Sequence, residues 1–147
     1  NIKVKIMKKI ILFICLCAIV LSAMLFLKSK NHINENIISS TGTMVSVKSP
    51  KILSKDSQIG KKYFDENCAK CHGKLAAGMG GLGPPLVHKI YEPSHHGDIA
   101  FYMAVKNGVR SHHWNFGNMP AIKTLEKEKV TKIIKYIREL QRNNGIR

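Results

Sequence analysis

The sequence predicts an all-α fold: a small helical domain over 56–147, preceded by a basic and apolar segment over 1–27 and a polar linker over 28–55. Three observations carry this. Val130, Ile133, Ile134, Ile137 and Leu140 form one apolar stripe at helical spacing. No stretch alternates with the period of two that a half-buried strand requires, and no internal repeat is present. An uncharged run from Ile10 to Leu27 stands apart from everything after it. At 147 residues the chain has room for one domain and a targeting segment.

The apolar run is eighteen residues long and holds a single polar residue, Ser22, which meets the lower length limit for crossing a bilayer as a helix. Lys3, Lys5, Lys8 and Lys9 precede it, and only Lys28 and Lys30 follow closely. The positive-inside rule then leaves the N-terminus in the cytoplasm and the rest on the periplasmic, extracytoplasmic side. A cleaved signal would have a shorter apolar core and small residues at its cleavage site. Leu21-Ser22-Ala23 is a poor version of that site, so an uncleaved single-pass anchor is the expectation. Met7-Lys8-Lys9 reads as the natural start. Cys15 and Cys17 lie inside the apolar run and read as lipid-facing or packing thiols.

Residues 28–55 are rich in Ser, Thr, Asn and Lys with no sustained period, the pattern of a flexible linker. It would span about 30 Å as a coil and about 90 Å fully extended. His32 falls within it and reads as incidental. The domain then opens at Asp56 or Ser57, either of which can cap a helix. That helix runs from about Gln58, with Gly60 and Phe64 on one face. A glycine-rich loop over 73–86 follows; it lacks the Lys-Ser/Thr ending of a phosphate loop and no strand precedes it. Asp98 is placed to cap a second segment that stops at Gly108, with Ile99, Tyr102 and Met103 on its apolar face. In the last helix Thr124 is the expected cap, Glu126 and Glu128 favour its positive end, and Gly145 is suited to ending it.

Cys68-Ala69-Lys70-Cys71-His72 carries the chemistry. Cys-x-x-Cys-His is the attachment signature of a c-type haem. The thiols sit about one helical turn apart, so both can form thioethers with one porphyrin, and the histidine becomes the proximal iron ligand. A thioredoxin-like pair, a zinc site using Cys68, Cys71 and His72, and a chance match are the competing readings. The first lacks a strand-helix-strand context and the second lacks another Cys pair at finger spacing. Covalent haem attachment takes place outside the cytoplasm, in agreement with an exported domain. One haem c per chain is expected, and its apolar surface would supply interior that a domain of roughly 90 residues lacks.

A second axial ligand is then needed, and the domain offers Met79, Met103 and Met119. Met103 reads as core packing, and Met79 lies too close to the attachment site to reach the opposite face. Met119 sits in a loop 47 residues after His72, followed by Pro120, where the chain can pass round the haem edge. His72 and Met119 are therefore the expected iron ligands, a pair that raises the reduction potential.

With these residues in place the domain resembles a class I cytochrome c, the small monohaem electron-carrier family, over roughly 57–145. Gly60 and Phe64 resemble that family's N-terminal helix contact, and Tyr136, Ile137, Leu140 and Gln141 its closing helix. Gly83-Pro84 and Leu86 resemble its Gly-Pro-x-Leu. The resemblance implies that the Pro84 carbonyl accepts a hydrogen bond from His72 and that Leu86 packs on the porphyrin. Trp114 resembles an indole that reaches a haem propionate; plain packing is the other reading for Trp114 and Tyr136.

His88, His95, His96, His112 and His113 are dense for a minimal member of that family. They read as solvated or propionate-facing side chains, as a second metal site for copper or zinc, or as a source of bis-histidine ligation.

The net charge is +15, and residues 57–147 hold 15 Lys and Arg against seven Asp and Glu. Outside the membrane such a domain has no obvious nucleic acid to meet; anionic lipid or an acidic docking surface on a redox partner suits it better, and lysines that only keep a small domain soluble are the other reading. The sequence reading is thus a membrane-anchored monohaem carrier passing single electrons at the outer face of the cytoplasmic membrane in a respiratory chain, not an enzyme. A small peroxidase or reductase would need an open iron position, and a gas or redox sensor an exchangeable Met119.

Overall fold

The computed structural model describes residues 6–7, 14–25 and 42–147. The chain divides into two compact units, 1–40 and 41–147. In the first, residues 14–25 are helical (α1) with exposed side chains, Cys15 and Cys17 included. Among the described residues no helix is long and apolar enough to cross a membrane. The rest of the expected span, 10–13 and 26–27, lies outside the described residues, as do His32 and the linker up to 41.

The second unit is mostly helical: α2 (Lys55–Asn67), α3 (Ala69–His72), α4 (Asp98–Asn107) and α5 (Lys127–Asn143), with short 3-10 turns at Lys74–Ala76 and Lys89–Tyr91. Only isolated bridges, and no sheet, occur among its described residues.

The crossing of α2 on α5 organises the domain. On α5 the sequence stripe is buried as expected, joined by Tyr136, Arg138 and Gln141. Phe64 from α2 and Tyr136 from α5 are fully buried with ring centroids 5.6 Å apart. The two backbones meet at Gly60: a Cβ there would overlap the Lys132 carbonyl oxygen and lie 2.5 Å from its carbon. Leu86, Val87, Ile133, Ile137 and Leu140 complete this core, and Phe101 of α4 packs against it.

Polar bonds lock the same crossing. Asp56 in the first turn of α2 pairs with Lys132 and Lys135 of α5, and their hydrogen bonds hold its carboxyl down at about 2. The unfolded value is about 3.9, so the pairing stabilises the fold above about pH 4 and is lost as pH falls toward 2. Asp56→Asn should therefore flatten the decline of the thermal midpoint with pH across that acid window. An equally steep decline in the variant would remove Asp56 as its source. The buried Tyr136 hydroxyl finds no partner among the described residues, and burial, with Asp65 adding to it, pushes its pKa up to about 12. Tyr136→Phe is expected to be neutral or stabilising by up to about 1 kcal/mol in denaturant titration, because no bond is lost.

Helix starts differ from the sequence expectation, two of the three for non-local reasons. The cap of α2 is Ser54, whose side chain accepts from Ser57 N, while its own backbone and hydroxyl donate to Glu139 at 3.0 and 2.7 Å. Asp98 is the first residue of α4 rather than its cap; Gly97 takes that place and Asp98 accepts from Arg138 at 2.8 Å. Glu126, not Thr124, stands at the cap of α5, after a turn closed by Leu125 N to Ile122 O at 3.1 Å. The expected apolar face of α4 is also corrected: Ile99 and Met103 are 70 % and 50 % exposed. Tyr102 instead binds the Thr131 hydroxyl on α5 at 2.7 Å.

Residues 42–54, read as linker, are tied to the domain. Val45 N donates to Ala77 O at 3.2 Å, and Lys48 exchanges backbone bonds with the Asn144 side chain at 2.9 Å in both directions. Val47 and Leu53 pack against the core. Two apolar contacts in a polar segment leave no periodic trace in a sequence.

Candidate functional site

The Cys-x-x-Cys-His motif lies where α2 ends and α3 begins. Cys68 closes α2 by donating to Phe64 O at 2.8 Å, and its own carbonyl accepts from Cys71 N and His72 N at 3.1 and 2.9 Å. Cys68 is half-buried and Cys71 exposed. Burial, and then the neighbouring Cys71, push the Cys68 thiol up to about 11. Among the described residues there is no sheet, so the strand context of a thioredoxin-like pair is missing.

The glycine-rich loop doubles back over His72. Gly78 N donates to His72 O at 2.7 Å, and Ala76 O accepts from Leu86 N at 2.8 Å and Val87 N at 3.2 Å. Gly83 passes so close that a Cβ would stand 2.7 Å from Cys71 O. This approach sets Pro84 O 2.9 Å from His72 Nδ1. A carbonyl can only accept, so Nδ1 carries the proton and Nε2 keeps its lone pair. Burial lowers the His72 pKa against the opposing pull of Pro84, which favours the neutral, ligating imidazole.

Met119 occupies a different loop, between α4 and α5. Its N and O exchange bonds with Val109 at 2.9 and 3.0 Å. The pairing depends on Gly108, which has φ 76° and no Cβ to meet Met119 O at 2.6 Å. Met79, by contrast, is bridged to Thr43 and Gly83 in the same loop as Pro84.

Trp114 stands in the Met119 loop with its ring stacked on Phe116 and edge-on to His88 at 5.4 Å. Burial raises the Tyr91 pKa, and the nearby Trp114 partly offsets it. Their contact falls short of hydrogen-bond geometry, leaving the buried Trp114 Nε1 without a partner among the described residues.

A family profile described as Cytochrome c matches residues 57–141. The chain belongs to the cytochrome c family. The matched span contains Cys68, Cys71, His72, Pro84, Leu86, Trp114 and Met119. A search of curated proteins finds no match to the chain. The family implies a covalent haem c, and the residues present fit it. Two cysteines closely precede a buried imidazole with a free Nε2, and Trp114 Nε1 is an unspent donor of the kind a propionate would engage. Leu86 is 9 % exposed within the core, and its carbonyl accepts from Gln141 Nε2 at 2.8 Å.

The five histidines separate into two groups. Nδ1 of His88 accepts from Ile90 N at 3.2 Å, capping a 3-10 turn. The other four cluster, with ring centroids 4.7 Å apart for His95 and His96, 5.6 Å for His95 and His113, and 4.3 Å for His112 and His113. The His113 pKa is lowered by desolvation and by repulsion from His112, His96 and His95.

Sequence reading missed Arg138. It is buried on α5 and binds Asp98, Tyr91 O and Gln141 Oε1 at 2.8, 2.7 and 2.7 Å, and also His96 O. A lone arginine four residues past Ile134 on an apolar stripe was the available signal.

Proposed function

We propose that this chain is a one-electron carrier, with His72 and Met119 as axial ligands and Cys68 and Cys71 as the attachment points. The observation that carries this reading is the His72–Pro84 bond of 2.9 Å, which fixes a buried neutral imidazole beside both thiols. Bound haem supplies a ferric/ferrous couple. The chain's residues hold its surroundings constant through that change. Pro84 O keeps the His72 proton on Nδ1 and strengthens Nε2 as a donor. Trp114 Nε1 would donate to a propionate, and Leu86 would pack on the porphyrin and exclude water from it. Met119, held by the Val109 pairing, would supply the second iron ligand and so close the iron to substrates.

The apolar segment 10–27 anchors the carrier in the cytoplasmic membrane, with the domain on the outer side among respiratory complexes. Net basic charge steers it to acidic docking surfaces. Membrane fractions washed with high salt should retain the full chain, and release by the wash would remove the anchor. Electron transfer from the haem-loaded chain to a small anionic oxidant should slow several-fold between 10 and 200 mM salt, or about 30 to 7 Å of Debye length. A salt-independent rate would contradict the steering.

A further inference from the structure

We propose that His95, His96 and His113, with His112 as a fourth donor, form a binding site for a divalent late transition ion, Cu²⁺ most tightly. One ligand nitrogen from each of His95, His96 and His113 lies within 4.8 Å of the other two. Imidazole nitrogens about 2.05 Å from an ion stand about 3.3 Å apart around a tetrahedral ion and about 2.9 Å apart as neighbours in a square plane, so the rings must draw inward on binding.

Backbone carbonyls orient two of the four. His96 Nδ1 donates to Ile90 O at 2.7 Å, and His112 Nδ1 to Arg110 O at 2.9 Å. Each ring therefore leaves Nε2 unprotonated as a donor to metal, the arrangement that second-sphere carbonyls impose on ligating histidines. The rings are also mounted on braced backbone. His95 N and His96 N both donate to Glu92 O, at 3.1 and 2.8 Å, while Arg138 of α5 grips His96 O. His112 and His113 ride on the loop closed by the Val109–Met119 pairing and by Ser111 N to Asn118 Oδ1 at 2.9 Å.

The all-imidazole set selects the ion. No carboxylate belongs to the group, which disfavours Mg²⁺ and Ca²⁺ and suits Cu²⁺ and Zn²⁺, in the order Cu²⁺ above Zn²⁺. An ion there would staple the turn at 92–96 to the loop that carries Met119.

The test uses the full, haem-loaded chain without an affinity tag, stripped of loose metal and titrated with Cu²⁺ or Zn²⁺ against a competing chelator. One ion per chain is expected, with nitrogen hyperfine structure from at least three imidazoles in the Cu²⁺ electron paramagnetic spectrum. His95→Gln and His113→Gln, both at exposed positions, should each weaken binding tenfold or more with an unaltered haem spectrum. His32→Gln should leave Cu²⁺ binding unchanged. No stoichiometric binding, binding that survives both cluster variants, or binding lost with His32→Gln would overturn the site. Displacement of Cu²⁺ by equimolar Mg²⁺ or Ca²⁺ would do the same.

Discussion

Gly60→Ala is expected to cost about 3 kcal/mol or more, at or above the usual range for overpacking, and to leave much of the chain unfolded at moderate temperature. The added carbon would overlap the Lys132 carbonyl and stand 3.0 Å from Tyr136 Cβ. Neither obstacle is the free end of a side chain, so α2 and α5 must separate. That separation would open the Phe64–Tyr136 contact and carry the Cys68–His72 segment, continuous with α2, away from Pro84. Thermal or denaturant unfolding of the haem-loaded chain reads the effect. Ile59→Ala, at an adjacent position 44 % exposed, should stay within about 0.5 kcal/mol of the parent. A parental midpoint for Gly60→Ala would mean the helices do not cross there.

Met119→Ala should produce the largest functional change without unfolding the protein. Met119 is held by two backbone bonds to Val109, and alanine keeps both. With the thioether gone, the reduction potential should fall by on the order of 100 mV or more, a fraction of the ~0.8 V that axial ligation spans. Met79→Ala and Met103→Ala should leave the potential near the parental value. Met79 is confined to the Pro84 loop, and Met103 is half exposed on α4 beside Asn107, whose Nδ2 lies 3.8 Å from its sulfur. A parental potential in Met119→Ala, or a large fall in either control, would reassign the ligand.

What was legible in the sequence follows from the range of the interactions. The α5 stripe is periodic, and the attachment motif is five adjacent residues, so both can be read locally. The capping of α2 cannot: Ser54 is chosen by Glu139, 85 residues away. The α4 pattern admits two inward faces, and only packing of Phe101 against the core and the Tyr102–Thr131 bond decide between them. Histidine density was visible, but its division was not. His88 is taken by a local cap, whereas His95 and His96 meet His112 and His113 only because Arg138 and the Val109–Met119 pairing bring two distant segments together.

In the proposed carrier, His72 and Met119 would close both axial positions of a covalent haem. Optical spectra of the purified, haem-loaded chain in both oxidation states, with and without carbon monoxide, test it most directly. A methionine-to-ferric charge-transfer band is expected, with no response of the reduced protein to carbon monoxide. A ready carbon monoxide adduct, or a ferric spectrum without the methionine band, would contradict it.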